Sequence, residues 1–267
     1  MIDQKVKSVR ALERGLDVLM EIQRRRAASL HELHRQLGLP KATLLRMLVT
    51  LSSRGLIWQR LADGAYLPSG LREASLPNAD MLSLLAEVAS KHLARLSEAV
   101  IWPSVLAVPR LDHMEIIETN SPLARLHSTI LGPVGAKLSY IHTATGRAYL
   151  AACDGRERTA IIDRLRPVDP DPASVAALEA IVAEIQQRGY SSRDPAHPWP
   201  DRSRAAVARD GRRSIAVAVM VRDHAVAAIN ITWPKSRMKI EQIVERHLEV
   251  LKDAAAQISR EVEVLAR

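Results

Sequence analysis

Cysteine is almost absent from this chain of 267 residues, which holds only Cys153. One thiol can form neither an intramolecular disulfide nor a cysteine zinc cluster. Long hydrophobic runs are also missing. The most apolar stretches, Ile215–Val221 and Ala225–Ile229, are strand-sized, far short of the ~18 residues that cross a bilayer. Met1-Ile2-Asp3-Gln4-Lys5 lacks the apolar core of a secretion signal. The expected location is therefore the cytoplasm, with no membrane partner. No Gly-x-Ser-x-Gly, Walker or dinucleotide-binding glycine pattern occurs. The nine histidines are scattered. His31 and His34 share one short predicted helix, and His92, His127 and His142 stand elsewhere, so no metal set of three or four convergent ligands is indicated. Cys153 follows Leu150, Ala151 and Ala152, the setting of a buried structural thiol and not of a nucleophile partnered by His142. The expectation is no catalytic residue, no metal and no cofactor.

What is present is ordinary globular composition, with 47% hydrophobic and 25% charged residues, too apolar for disorder. The net charge of +8 is uneven: residues 1–72 hold 13 Lys and Arg against 6 Asp and Glu, while the remainder is nearly balanced. A cationic end on a near-neutral body suggests a polyanion-binding module joined to a second function. A solvated basic face is the plainer alternative.

Hydrophobic spacing predicts a helix from Ser8, its cap, to about Arg25, carried by Val9, Leu12, Leu16, Leu19 and Met20. Ser29-Leu30-His31-Glu32 fits a capping box. The helix it opens, with Leu30, Leu33 and Leu37 on one side, stops at Gly38. A third helix begins near Pro40 and closes at Gly55, with Leu44 or Leu45, Leu48 and Leu51 on its buried side. Leu56–Leu61 and Ala65–Leu67 flank the turn Ala62-Asp63-Gly64. These elements within residues 1–68 spell a winged helix-turn-helix. Residues 69–79 read as a linker, with Ser69–Leu76 a brief helix. Residues 80–267 read as an α+β domain. Its helices are expected over Asp80–Glu98, Thr145–Cys153, Gly155–Leu165, Ser174–Arg188 and Ile240–Leu265. Its strands are expected over Ser104–Val108, Glu115–Glu118, Leu126–Leu131, Ser214–Val221 and Ala225–Trp233. Residues 190–212 read as loop.

The second helix of a helix-turn-helix enters the major groove. Its solvent-side candidates are Lys41, Thr43, Arg46, Met47 and Thr50, with Leu44 retained as the alternative groove-facing leucine. Arg46 suits bidentate recognition of guanine. Ser29, Lys41 and Thr43 suit phosphates, which set register without reading sequence. Arg60, on the wing, suits the backbone or the minor groove.

Three stretches, Ser8-Val9-Arg10-Ala11-Leu12-Glu13-Arg14-Gly15-Leu16-Asp17-Val18-Leu19, Leu39-Pro40-Lys41-Ala42-Thr43 and Leu51-Ser52-Ser53-Arg54-Gly55-Leu56-Ile57, resemble the IclR family of bacterial transcriptional regulators. Gly132–Leu150 and Arg213–Val219 look like the family's effector-domain segments. Val100-Ile101-Trp102-Pro103 is similar to the subgroup that holds the activator of 3-(3-hydroxyphenyl)propionate catabolism. The resemblance implies a homodimer or homotetramer on a palindromic duplex operator. It also implies a GAF-like antiparallel-sheet domain that binds a small organic acid, and action in the bacterial nucleoid through altered operator affinity or contacts with RNA polymerase. The linker would transmit the effect.

Thr143-Ala144-Thr145-Gly146-Arg147-Ala148 resembles the family's Thr-Ala-x-Gly-Lys/Arg-Ala run. Thr143, Ala144, Thr145 and Gly146 are candidates for a carboxylate, because free amides at a helix start favour anions. Thr145 as a simple cap is the alternative. Asn230 and Thr232 share one strand face and join Ser214 as effector candidates if that face lines a cavity. Asp194-Pro195-Ala196-His197-Pro198-Trp199-Pro200 replaces the family's acidic stretch. Trp199 either closes the cavity over an aromatic ring or anchors the loop. The expected effector is an aromatic carboxylate. Two other functions stay open at this point: a DNA-binding repressor whose second domain only oligomerises, and a metabolite-processing enzyme with a regulatory head.

Overall fold

The computed structural model describes residues 9–69, 81–123, 132–166, 172–199 and 209–266. The chain divides into two compact units, Met1–Glu87 and Val88–Arg267. The expected linker helix and strand Leu126–Leu131 lie outside the described residues, Ser69 aside, as does the Ser8 cap.

The first unit opens with helix α1 (Arg10–Arg25). Val18 and Ile22 are its buried apolar positions, with Leu19 packed beside them, and Glu21 is buried as well. Val9, Leu12, Leu16 and Met20, the residues whose spacing announces the helix, form a different stripe that stays exposed. Helix α2 (Leu30–Leu37) starts at the expected capping box: Glu32 N donates to Ser29 Oγ at 3.2 Å, and Ser29 N donates to Glu32 Oε2 at 2.8 Å. It ends at Gly38, whose φ of +65° is the left-handed conformation that glycine adopts without a Cβ penalty. Helix α3 (Lys41–Ser53) follows Pro40. Strands β1 (Ile57–Gln59) and β2 (Tyr66–Pro68) form the antiparallel wing. Ala28 and Tyr66 exchange two backbone hydrogen bonds, of 3.0 and 2.8 Å, which tie the start of α2 to the wing. Val18, Ile22, Leu33, Leu44, Leu48, Leu51, Ile57 and Tyr66 form the core.

Helix α4 (Met81–Ala99) contains the division between the units. Strands β3 (Val105–Pro109) and β4 (Met114–Thr119) come next, then the short β5 (Lys137–Leu138). Three helices follow: α5 (Ala144–Ala152), α6 (Gly155–Leu165) and α7 (Pro172–Arg188). The two-residue strand β6 (Ser191–Ser192) lies in the stretch expected to be loop. Strands β7 (Arg212–Val221) and β8 (His224–Pro234) form the expected apolar hairpin, and helix α8 spans Ile240–Leu265.

The six strands form one antiparallel sheet in the order β5-β4-β3-β8-β7-β6. This is the expected α+β arrangement. Every residue from Ala227 to Trp233 is buried, so both faces of β8 are covered. Ala216 and Ala228 face a cluster that contains Ala144, Ala148 and Leu150 of α5. Period-two alternation turns Ile215, Ile229 and Ile231 the other way. Helix α8 packs along β7. On the face of the unit where α4 meets α8, Lys91 and His92 reach the two oxygens of Glu261 at 2.6 and 2.8 Å.

Candidate nucleic-acid interface and ligand pocket

The turn between α2 and α3 is closed by side chain as well as by glycine. Gly38 N donates to the His34 carbonyl at 3.0 Å, and His34 Nδ1 donates to the Leu39 carbonyl at 2.7 Å. His34 is thus a clasp for the turn, a role absent from the sequence reading. Pro40 supplies no side-chain cap to α3, so the first-turn amides of α3 have no intrahelical partner.

Helix α3 divides by burial. Leu44, Leu48 and Leu51 enter the core, which corrects the retention of Leu44 as a groove-facing residue: with no exposed surface it can touch no base. The leucine that faces out is Leu45. Lys41, Arg46 and Thr50 are exposed as expected, and Lys41 and Arg46 enter no ion pair among the described residues. Thr43 and Met47 are half-buried and line an apolar groove against α1, with Leu12, Leu16 and Leu19. The hydroxyl of Thr50 donates to the Arg46 carbonyl at 2.9 Å. The outward face also carries Ala42 and Val49, which the sequence reading passed over because apolar types signal core.

Two other candidates are held by internal bonds. Ser29 Oγ gives its proton to Glu32 Oε2 at 2.7 Å while accepting from Glu32 N, so no hydroxyl proton remains for a phosphate. These bonds keep the Glu32 carboxyl below its ordinary range. Arg60 forms a fork on Asp63, with Nε at 3.0 Å and Nη2 at 2.6 Å. The wing arginine is therefore neutralised locally, and the guanidinium pulls the Asp63 carboxyl down.

In the second unit, α5 points its first turn into a cavity of about 280 Å³. Thr143, Ala144 and Thr145 line it from the helix side, and Ser214, Asn230 and Thr232 line it from the sheet. Six residues drawn from two distant segments thus share one pocket. Thr143, not Thr145, is the helix cap: its Oγ1 accepts from Gly146 N at 3.2 Å and donates to the Ser139 carbonyl at 2.6 Å. The first-turn amides of Ala144 and Thr145 have no intrahelical partner, and Thr145 Oγ1 lies 3.2 Å from Thr143 Oγ1. Gly146 corrects a further expectation, since it does not line the pocket. A Cβ there would strike the Ser139 carbonyl and the Tyr140 backbone, so its lack of a side chain lets α5 approach the preceding turn.

Across the pocket, Ser214 Oγ and Thr232 Oγ1 are 2.9 Å apart, and Asn230 Nδ2 donates to Thr232 Oγ1 at 3.1 Å. Asn230 Oδ1 accepts from Val105 N at 2.9 Å. Val105, Ile116 and Leu138 give the apolar wall. The charged part of the lining is Arg193, Asp210 and Arg212. Arg193 Nη2 reaches Asp210 Oδ2 at 2.7 Å, while the Asp210 Oδ1 accepts from Arg212 N at 3.0 Å. Among the described residues this lining sets two guanidinium groups beside one carboxylate, an excess of positive charge that favours an anion. These three residues were missed because they lie in polar sequence without periodicity.

Arg147, on α5, is buried and fully engaged. It donates to the carbonyls of Ile141 and Ser192 and, at 3.1 Å, to Asp194. It secures α5 to the sheet edge and does not reach for a ligand. Trp199 is buried in the α5 cluster and is not part of the pocket wall, so of the two readings the anchor holds. Cys153 is buried, and its thiol is pushed up to about 12 by that burial. No helix among the described residues is long and apolar enough to cross a membrane, and no metal-ligating cluster occurs among them.

Residues 11–60 match the family described as IclR helix-turn-helix domain, and residues 81–260 match that described as Bacterial transcriptional regulator IclR C-terminal. The Transcriptional repressor IclR of Escherichia coli K12 is 26% identical over 255 residues, covering 92% of this chain and 88% of its own. The IclR structure from Thermotoga maritima is 19% identical, covering 95% of this chain and 99% of its own, with a TM-score of 0.54. An IclR homologue from Microbacterium hydrocarbonoxydans, complexed with 4-hydroxybenzoate, is 22% identical over 95% of this chain and 99% of its own, with a TM-score of 0.53.

Proposed function

The chain belongs to the IclR family of bacterial transcriptional regulators, and from that membership we propose that its operator binding answers to a small organic acid held in the second unit. It is a DNA-binding regulator, and the family is one of regulators, not enzymes. The observation that carries the ligand reading is the pocket of about 280 Å³ between the start of α5 and the β7–β8 hairpin. A carboxylate there meets the amides of Ala144 and Thr145 at a positive helix end, with Arg212 as the charged partner. The hydroxyls of Thr145, Ser214 and Thr232 orient polar substituents, and Val105, Ile116 and Leu138 take the carbon skeleton.

The finer expectation is a compact aromatic carboxylate and control of aromatic or related acid catabolism. Supporting it are the apolar wall, the likeness of Val100–Pro103 to the hydroxyphenylpropionate subgroup, and a neighbour of the same fold that holds 4-hydroxybenzoate. The site of action is the bacterial nucleoid in the cytoplasm. The regulator works as a homodimer or homotetramer on a palindromic operator, with RNA polymerase as a further partner. The exposed stripe Val9, Leu12, Leu16 and Met20 supports pairing of two heads through α1.

An effector acts only through different affinity for two arrangements of the protein. Calorimetry on the full chain tests the proposal with benzoate, 4-hydroxybenzoate, 3-(3-hydroxyphenyl)propionate, acetate, glucose and magnesium. At least one aromatic acid is expected to bind, more tightly than acetate. Arg212→Ala should weaken it by about tenfold or more, the value of a charge-assisted hydrogen bond. The bound acid should change operator affinity. Binding of glucose or magnesium alone overturns the ligand assignment. Equal operator affinity with every acid favours a second unit that only oligomerises.

A further inference from the structure

The outward face of α3 has an unusual composition for a surface helix on a cationic head. Opposite the core positions Leu44, Leu48 and Leu51, it presents Ala42, Leu45, Arg46 and Val49. Leu45 is 42% exposed and Val49 68%. Isolated surface leucines and valines need no explanation. These are not isolated: Ala42, Leu45 and Val49 follow i, i+3, i+7 spacing, which places them in one stripe. The stripe lies beside Arg46, with Lys41 at its N-terminal edge. Neither cation enters an ion pair among the described residues. The exposed hydroxyl of Thr50 is turned onto the Arg46 carbonyl, so it donates to the helix. The outward face therefore carries a continuous apolar stripe beside the Arg46 guanidinium, with Lys41 at one end and the hydroxyls of Thr50 and Ser53 donating to helix carbonyls.

We propose that Leu45 and Val49, continued by Ala42, read the 5-methyl groups of thymine in the major groove. The inference rests on the reading of α3 as the groove-inserted helix and deepens it to a base preference. Of the four bases, only thymine displays a methyl group on its major-groove edge; recognition of guanine, adenine and cytosine there rests on nitrogen and oxygen donors and acceptors. An aliphatic side chain pressed on those edges strips water and returns no hydrogen bond. Against a thymine methyl it buries apolar surface on both sides. The unpaired cations select a polyanion over a neutral protein surface. From Ala42 to Val49 the stripe runs about 10 Å along the helix axis, roughly three base steps at 3.4 Å each. Each half-site is then a short block of A·T pairs whose thymine methyls face the helix, next to the G·C pair taken by Arg46.

The test uses the full chain and a duplex selected from a randomised library for tight binding. Each thymine of a half-site is replaced singly by deoxyuridine, which removes the methyl and leaves the hydrogen-bonding pattern intact. Affinity is read by fluorescence anisotropy over a range of salt. At one or more positions the loss is expected to be about fourfold, the value of one buried methyl-sized group, with an unchanged salt slope. Leu45→Ala or Val49→Ala should bind the thymine and deoxyuridine duplexes equally at the position it reads. Both side chains are exposed, so the substitutions leave the core intact. A selected duplex that is bound equally in every deoxyuridine form overturns the methyl assignment and leaves the DNA-binding reading standing. Selection of no duplex at all removes both.

Discussion

Ser214 and Thr232 oppose each other directly across the β7–β8 ladder, their hydroxyl oxygens 2.9 Å apart. The Thr232 hydroxyl also receives the Asn230 amide, so one oxygen organises the sheet side of the pocket. Thr232→Val keeps the shape and removes that oxygen, leaving two buried polar groups short of a partner. The expected cost is about 1–3 kcal/mol, read as a lower denaturation midpoint for the sheet domain, together with weaker acid binding by calorimetry. An unchanged midpoint would show that water replaces the hydroxyl.

The Arg60–Asp63 fork makes a prediction opposite to the usual effect of neutralising a charge near a binding face. Asp63→Asn should free the guanidinium for DNA, raising affinity for random duplex and steepening its salt dependence by about one phosphate contact. Arg60→Ala should leave that slope nearly unchanged, because the native fork already neutralises the arginine. Filter binding across salt concentrations separates the two outcomes.

Arg46→Ala is expected to relax base preference at one position, with a loss of about 1–3 kcal/mol on the selected operator. Lys41→Ala should instead weaken all sequences alike and flatten the salt slope. Competition between selected and random duplexes distinguishes them.

Glu21 sets an acid limit on the head. Arg24 and Arg25 hold its carboxyl at about 2, against an ordinary value of 4.5. A carboxyl with a depressed folded-state pKa contributes stability that is complete above 4.5 and is lost as pH falls towards 2. Hydrogen exchange of α1 and α2, normalised to an unstructured peptide, should show constant protection from pH 7 to 5 and a decline below 4.5. Glu21→Gln should weaken that dependence, with the lowered Glu32 and Asp63 carboxyls supplying what is left.

Cys153 should resist iodoacetamide at pH 8 in the folded protein and react once denatured, since its thiol is held at about 12. Labelling of the native chain, followed by mass spectrometry, would contradict the buried placement.

Much of this architecture could be read from residue order. Ser29 and Glu32 announced their capping box, Gly38 its left-handed stop, and Ile240–Leu265 its helix, because each signal is local. Leu44 and Leu45 were not separable, because adjacent leucines fit the same periodicity and only the angle of α3 against Ile22 and Leu33 chooses between them. Thr145 lies in the pocket lining and the cap is Thr143, whereas Gly146 was read as a ligand contact and serves close backbone approach to Tyr140. Arg193, Asp210 and Arg212 carry no periodic signal, and their meeting with Thr143 depends on strand order. Arg60 looked available because its neighbour Asp63 was seen only as a turn former.

The His34 clasp on Leu39 has a consequence for how such a protein diversifies. The tilt at which α3 is presented is set by that clasp and by core contacts with Ile22 and Leu33, all inside the head. Transplanting that block onto another sensor should therefore carry the address on the chromosome with it, while the graft's host keeps its own chemical trigger. Address and trigger are free to drift apart over generations, each under its own selection.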